Sequence, residues 1–156
     1  MMSDQTSDRL LRWAAVAFAI GFAVHGLDHL RRGMSASPPA VMVGGTVQGV
    51  FVVAAVAMVL RRHPLAPRLA AFVGFGSALL FTYAHLLPTF WPAFQDSFIS
   101  LPHINVMWFS WFSAVAEIGT GIVVGVAGIR AARGSRLDGM PAFCDLAGPS
   151  SGLSRL

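Results

Sequence analysis

Four long runs of apolar residues, each closed by charge or by proline, organise this chain. The first extends from Trp13 to Leu27 without a formal charge, with Arg12 before it and Asp28 and His29 after it. The second, Ala40 to Leu60, carries only Thr46 and Gln48 as polar side chains and stops at Arg61 and Arg62. The third, Leu69 to Leu87, lies between Pro67 and Pro88, where a helix best tolerates proline. The fourth can begin at a Ser100 cap, pass Pro102 in its first turn and stay apolar to Ile129, interrupted only by Glu117. The pattern predicts helices over 10–29, 40–60, 68–87 and 102–129. A helix rising 1.5 Å per residue needs about 20 apolar residues to cross a bilayer. The expected fold class is therefore an all-α integral membrane protein, a four-transmembrane-helix bundle.

The first run is short, and a basic start, an apolar run and small residues near Ser35 to Ser37 also fit a cleaved signal peptide. The polar block His25 to Arg32, standing before any cleavage site, predicts a retained helix instead.

Composition supports the same class. With 55% hydrophobic and 12% charged residues, the 156-residue chain has too little polar surface to solvate a globule. One domain, 1–130, is expected, followed by a disordered cytoplasmic tail, 131–156, rich in Gly, Ser, Pro and Arg; residues 1–8 are likewise expected to be disordered. No internal repeat or linker divides the chain. The single Cys144 forms no internal disulfide.

All 11 basic residues are arginine, placed beside the apolar runs. That placement reads as membrane flanks and sets aside nucleic acid as a partner. Arg9 and Arg12, then Arg61, Arg62 and Arg68, then Arg130, Arg133, Arg136 and Arg155 fall in the N-terminal, second-loop and C-terminal segments. Only Arg31 and Arg32 fall in the first loop, and the third loop has none. The arginine bias predicts both termini inside, N-in/C-in. Arginine without lysine, with abundant Ala, Gly and Val, is the composition of a GC-rich genome, and the expected location is the bacterial inner membrane. The expected partners are the lipid bilayer and, through small-residue helix faces, other membrane subunits or a second copy of the chain.

The third loop carries Phe90, Trp91, Phe94 and Phe98 with one charge, Asp96. It reads as an aromatic belt at the outer headgroups or as a lid.

Candidate chemistry lies on the packing faces. Small and polar residues recur at spacing four: Ala17, Gly21, His25, Asp28 and His29 on the first helix; Gly45 and Gly49 on the second; Gly74, Ala78, Thr82 and His85 on the third; Ser110, Ala114, Glu117, Gly121 and Gly125 on the fourth. The topology brings His25, Asp28, His29, His85 and His103 to the outer level. Only His63 falls inside. Histidine and aspartate at i, i+3 and i+4 share a helix face, the spacing by which helices present metal ligands. The expected cofactor is a transition metal ion or a haem, with His25 and His85 central because their depths match. Glu117, near the bilayer midplane, is expected to pair with Gln48 as a proton relay or an intramembrane polar contact.

These features point to a small metal- or haem-binding membrane oxidoreductase. Two alternatives stand beside it: a non-catalytic accessory or assembly subunit, and a proton-coupled carrier using Glu117. No phosphate loop, cysteine pair or serine nucleophile elbow is present to name another reaction.

Overall fold

Proline and glycine set the ends of the helices. Pro39 opens the second helix and Pro67 stands in the first turn of the third, positions where the missing amide hydrogen is not needed. Gly33, at φ +96°, ends the first helix in a conformation open to glycine and donates its N–H back to the carbonyls of His29 and Leu30. In the computed structural model, which describes residues 2–137 and the side chains of 5–134, the resulting helices are α1 (Met2–Arg32), α2 (Pro39–Leu60), α3 (Ala66–Phe81) and α4 (Trp108–Leu137). A π-helical turn, Thr82–Leu86, extends α3. No strand occurs among the described residues, and all four helices are long and apolar enough to cross a membrane.

The chain runs up, down, up and down, so that α4 lies along both α1 and α3 while α2 stands across from it and touches α1 and α3 more lightly. Glycine permits the close approach of α3 and α4. A Cβ on Gly74 would sit 2.5 Å from the Gly121 carbonyl oxygen, and one on Gly128 would sit 2.5 Å from the Pro67 carbonyl oxygen. Gly21 serves α1 in the same way against Thr120. The small-residue faces of α1, α3 and α4 are thus the packing faces.

The interior is divided along its length. Leu11, Ala15, Phe18, Val59, Ala70 and Val124 belong to an apolar core toward the end that holds the chain's N-terminus. The opposite half buries His25, Asp28, Arg32, Gln48, Ser77, His85, Ser110, Ser113 and Glu117. Meanwhile large apolar side chains face outward: Phe72 is 74% exposed, Leu79 72% and Trp13 69%. Polar inside and apolar outside is the reverse of a water-soluble bundle.

Three expectations need correction. The fourth helix begins at Trp108, not at residue 102, because the segment before it is taken up by tertiary contacts: Arg32 Nε donates to the Ile104 carbonyl, Arg31 to the Asn105 carbonyl, and Asn105 Nδ2 to the Arg32 carbonyl. Asn105 itself takes a positive φ of 53°, and the Ser110 hydroxyl accepts the Met107 N–H, the returning half of a capping box. Second, α1 starts at Met2 and not after a disordered segment. Third, α4 runs on past Arg130 to Leu137, so its last two turns fall in the stretch expected to be tail; the rest of that stretch, 138–156, lies outside the described residues.

Candidate metal centre

The polar end of the bundle is assembled from helix ends and one loop. The π turn widens the end of α3 and leaves carbonyls without helical partners. Loop residues fill those positions: the Asp96 N–H donates to the Ala84 carbonyl, the Phe98 N–H to the His85 carbonyl, and Gln95 Nε2 to the Tyr83 carbonyl. Gln95 Oε1 in turn accepts the N–H groups of Phe90 and Trp91. The loop is therefore seated, with Gln95, Asp96, Ser97 and Phe98 buried and Phe90, Trp91 and Phe94 facing out. It is a plug with an aromatic rim, more than a belt alone.

Arg32 locks the plug to α1. Its guanidinium makes a bidentate pair with Asp96, at 2.6 and 2.9 Å, and lies over the Phe98 ring at 5.2 Å from the centroid. Burial works to raise the Asp96 pKa, but hydrogen bonds from Arg32 and Ser37 and the Arg32 charge outweigh it and hold the carboxyl below its ordinary range. Beside this pair, Arg31 binds Asp28 at 2.7 Å and also donates to Ser110.

Beneath the plug, three histidines meet. His25 and His29 lie one turn apart on α1, His85 reaches in from the π turn, and one nitrogen from each lies within 4.8 Å of the others. His25 and His85 are buried and His29 is half-buried. Their rings touch, with centroids 4.8 Å apart for His25 and His29 and 4.8 Å for His25 and His85.

The surrounding hydrogen bonds constrain the protons. Ser113 donates its hydroxyl to the Ser110 carbonyl and stands 3.4 Å from His25 Nδ1. Ser37 donates to the Asp96 carboxylate, so it accepts from His29 Nδ1 at 3.1 Å. The Asp96 carbonyl, which can only accept, takes the proton of His85 Nδ1 at 3.0 Å. His29 and His85 thus turn Nδ1 to acceptors outside the cluster, and His25 Nδ1 faces Ser113. The Nε2 atoms of His25 and His29 meet at 3.1 Å, a hydrogen bond that needs one proton between them.

Of the residues expected at this level, the fold brings together His25, His29 and His85. Asp28 is adjacent but turns its carboxylate to Arg31 and Ser110, with Oδ2 lacking a partner among the described residues. His103 is exposed in the loop and does not join the cluster. His63 lies at the other end, accepting the Leu65 N–H. Glu117 does not pair with Gln48: Gln48 Nε2 donates to the Ser77 hydroxyl at 2.9 Å, and Ser77 stands between the two. The Ser77 hydroxyl is near enough to act on Glu117, yet neither carboxyl oxygen has a well-aligned hydrogen bond among the described residues.

Sequence reasoning missed Ser37, Ser113 and Asp96 as supports of the histidines, and missed that Arg32 points inward. Asp96 left one signal, as the lone charge in an aromatic loop. A serine leaves none.

Next to the histidines lies a cavity of about 720 Å³ between α1, α2 and α3, walled mainly by apolar side chains and glycine. Comparison with known proteins finds no matching family model, no similar curated protein and no similar solved structure.

Proposed function

We propose that this chain is a small multi-pass membrane metalloprotein whose centre is a tris-histidine site formed by His25, His29 and His85, with both termini on the cytoplasmic side of a bacterial inner membrane. The observation that carries the reading is the convergence of three buried or half-buried imidazoles, with one nitrogen from each within 4.8 Å of the others. A cation held between His25, His29 and His85 would take the place of the single proton shared by the Nε2 atoms that meet at 3.1 Å. Neutral imidazole suits zinc, copper, iron and nickel. Metal-binding histidines donate their second N–H to a carbonyl, hydroxyl or carboxylate, and Ser113, Ser37 and the Asp96 carbonyl stand at the Nδ1 atoms of the three.

Zn–N bonds of about 2.0–2.1 Å put tetrahedral ligands roughly 3.3–3.5 Å apart, so small ring rotations suffice to close a set now within 4.8 Å. Three histidines would hold an ion and leave room in its coordination shell for a further ligand, and all three line the cavity; catalytic metal sites keep such a position, whereas structural ones are closed. A non-haem ion fits better than haem, because the His25 and His85 rings are in contact and leave no slot for a macrocycle. An enzymatic role, including the oxidoreductase expected from the sequence, rests on that open position. Insertion in a membrane is supported by the apolar exterior, and orientation by the arginine bias, with Arg9, Arg12, Arg61, Arg62, Arg68, Arg130 and Arg133 at the end opposite the histidines against Arg31 and Arg32 beside them.

The test is elemental analysis and visible spectroscopy of protein purified from cells supplied with zinc, iron and copper. One equivalent of metal without a Soret band is expected, lost in His25→Ala and in His85→Ala and kept in His103→Ala. Protein that folds, contains neither metal nor haem, and is as stable in the double His25→Ala/His85→Ala form as in the parent would replace this reading with that of an accessory subunit.

A further inference from the structure

We infer that the cavity beside the tris-histidine centre is the chamber for a single-chain amphiphile with an anionic head, a fatty-acid-like carboxylate, which binds the metal through its carboxylate and enters sideways from the bilayer. The inference rests on the metal reading above.

Charge selects the head. Three neutral histidines contribute no negative charge, and the two nearby carboxylates are already matched, Asp28 by Arg31 and Asp96 by Arg32. Glu117 does not line the cavity. A divalent ion here keeps its charge in a low-dielectric setting, where an anionic ligand is strongly favoured. Hydroxide from water meets that need but does not account for the chamber.

Shape and lining select the tail. At about 720 Å³ the cavity is within the 300–1,000 Å³ or so typical of small-molecule sites. Its walls are mainly apolar, with Thr46, Gln48 and Tyr83 as the polar side chains besides the histidines, and its rim includes Leu27, Leu30 and Leu80, each more than half exposed on the outer, apolar surface. Glycine marks the walls as open space. Gly26, Gly44 and Gly45 all line the cavity, and a Cβ on any of them would meet nothing within 4 Å. Gly49, also in the wall, is covered by Phe22, and Gly21, Gly74 and Gly121, away from the cavity, are each filled by a neighbouring helix. Glycine inside a helix is unfavourable relative to alanine, and at Gly26, Gly44 and Gly45 it leaves the chamber clear where a larger side chain would enter it.

Cobalt-loaded protein in zwitterionic nanodiscs tests this through the visible bands of the metal. Laurate is expected to shift them; dodecanol, at the same mole fraction in the bilayer, is expected to leave them unchanged. Acetate is expected to act only at much higher concentration. Gly45→Leu, which fills the chamber, is expected to keep the cobalt spectrum and the acetate response and to lose the laurate response. Gly119→Leu, at a glycine with open space away from the cavity, is expected to behave as the parent. A laurate response that survives Gly45→Leu, a dodecanol response equal to that of laurate, or cobalt bands unmoved by laurate would each overturn the chamber while leaving the metal centre standing. Absence of any cobalt spectrum would overturn both.

Discussion

Replacing Asp96 by Asn should do more damage than its place in a loop suggests. The Arg32 and Asp96 side chains are 1% and 7% exposed, and two hydrogen bonds of 2.6 and 2.9 Å join them. Removing the negative charge leaves the Arg32 guanidinium buried beneath Phe98 without a counter-ion. Breaking a buried pair from one side costs about 3–5 kcal/mol, whereas an exposed pair costs about 0–1. The change also reaches the histidines. Ser37 accepts from His29 while donating to Asp96, so an amide in place of the carboxylate can reverse the serine proton and turn His29 away. Loss of such an outer support lowers metal affinity about 10–100-fold. Unfolding in mixed micelles, followed by tryptophan fluorescence, reads the first effect, and competition with a chelating dye reads the second. Replacing both partners by apolar side chains, Arg32→Met and Asp96→Leu together, should recover most of the stability but not the metal affinity. A stability loss under about 1 kcal/mol in Asp96→Asn would show that water screens the pair, and would refute the view of the loop as a seated plug.

The same residue sets a pH dependence: because the folded carboxyl sits below its unfolded value of about 3.9, its stabilisation is complete above that value and is lost as pH falls through the lower folded one. Parent and Asp96→Asn stabilities should therefore converge toward acid, and curves that stay parallel below pH 4 or so would contradict the assignment. Gly74→Ala should lower stability by about 1–3 kcal/mol by pushing α3 off the Gly121 carbonyl, while Gly76→Ala, facing open space, should be neutral or raise it by up to about 1 kcal/mol; equal effects in thermal melts would mean that the helices do not approach as described. Glu117→Gln should change stability by less than about 1 kcal/mol, since no aligned hydrogen bond is lost, and a folded variant with its metal intact but without activity would assign Glu117 to proton transfer. For orientation, a reporter active only outside the cytoplasm should work when fused after Ser97 and fail after Arg136, and the reverse pattern would move the histidines to the inner face.

Helix number and order were legible because bilayer-length apolar runs state their structure locally: the backbone must satisfy itself within each helix, and Pro, Gly and Arg mark where it stops. The packing faces were legible for a related reason. Gly121, Gly125 and Gly128 recur at helical spacing on α4, and Gly21 and Gly74 lie in small-residue stripes on α1 and α3, because two backbones can approach only where side chains are absent. His25, His29 and His85 could be placed at one depth by counting residues from the helix ends. Depth alone did not separate them from Asp28 and His103. Direction around the bundle did, and direction depends on a π turn, on a loop that replaces the expected start of α4, and on an arginine drawn inward by Asp96 from a distant part of the chain. The sequence by itself determined where polar groups enter the apolar segments. Only the tertiary structure decided which groups meet the histidine nitrogens, because Ser37, Ser113 and the Asp96 carbonyl reach them through contacts between residues apart in the chain.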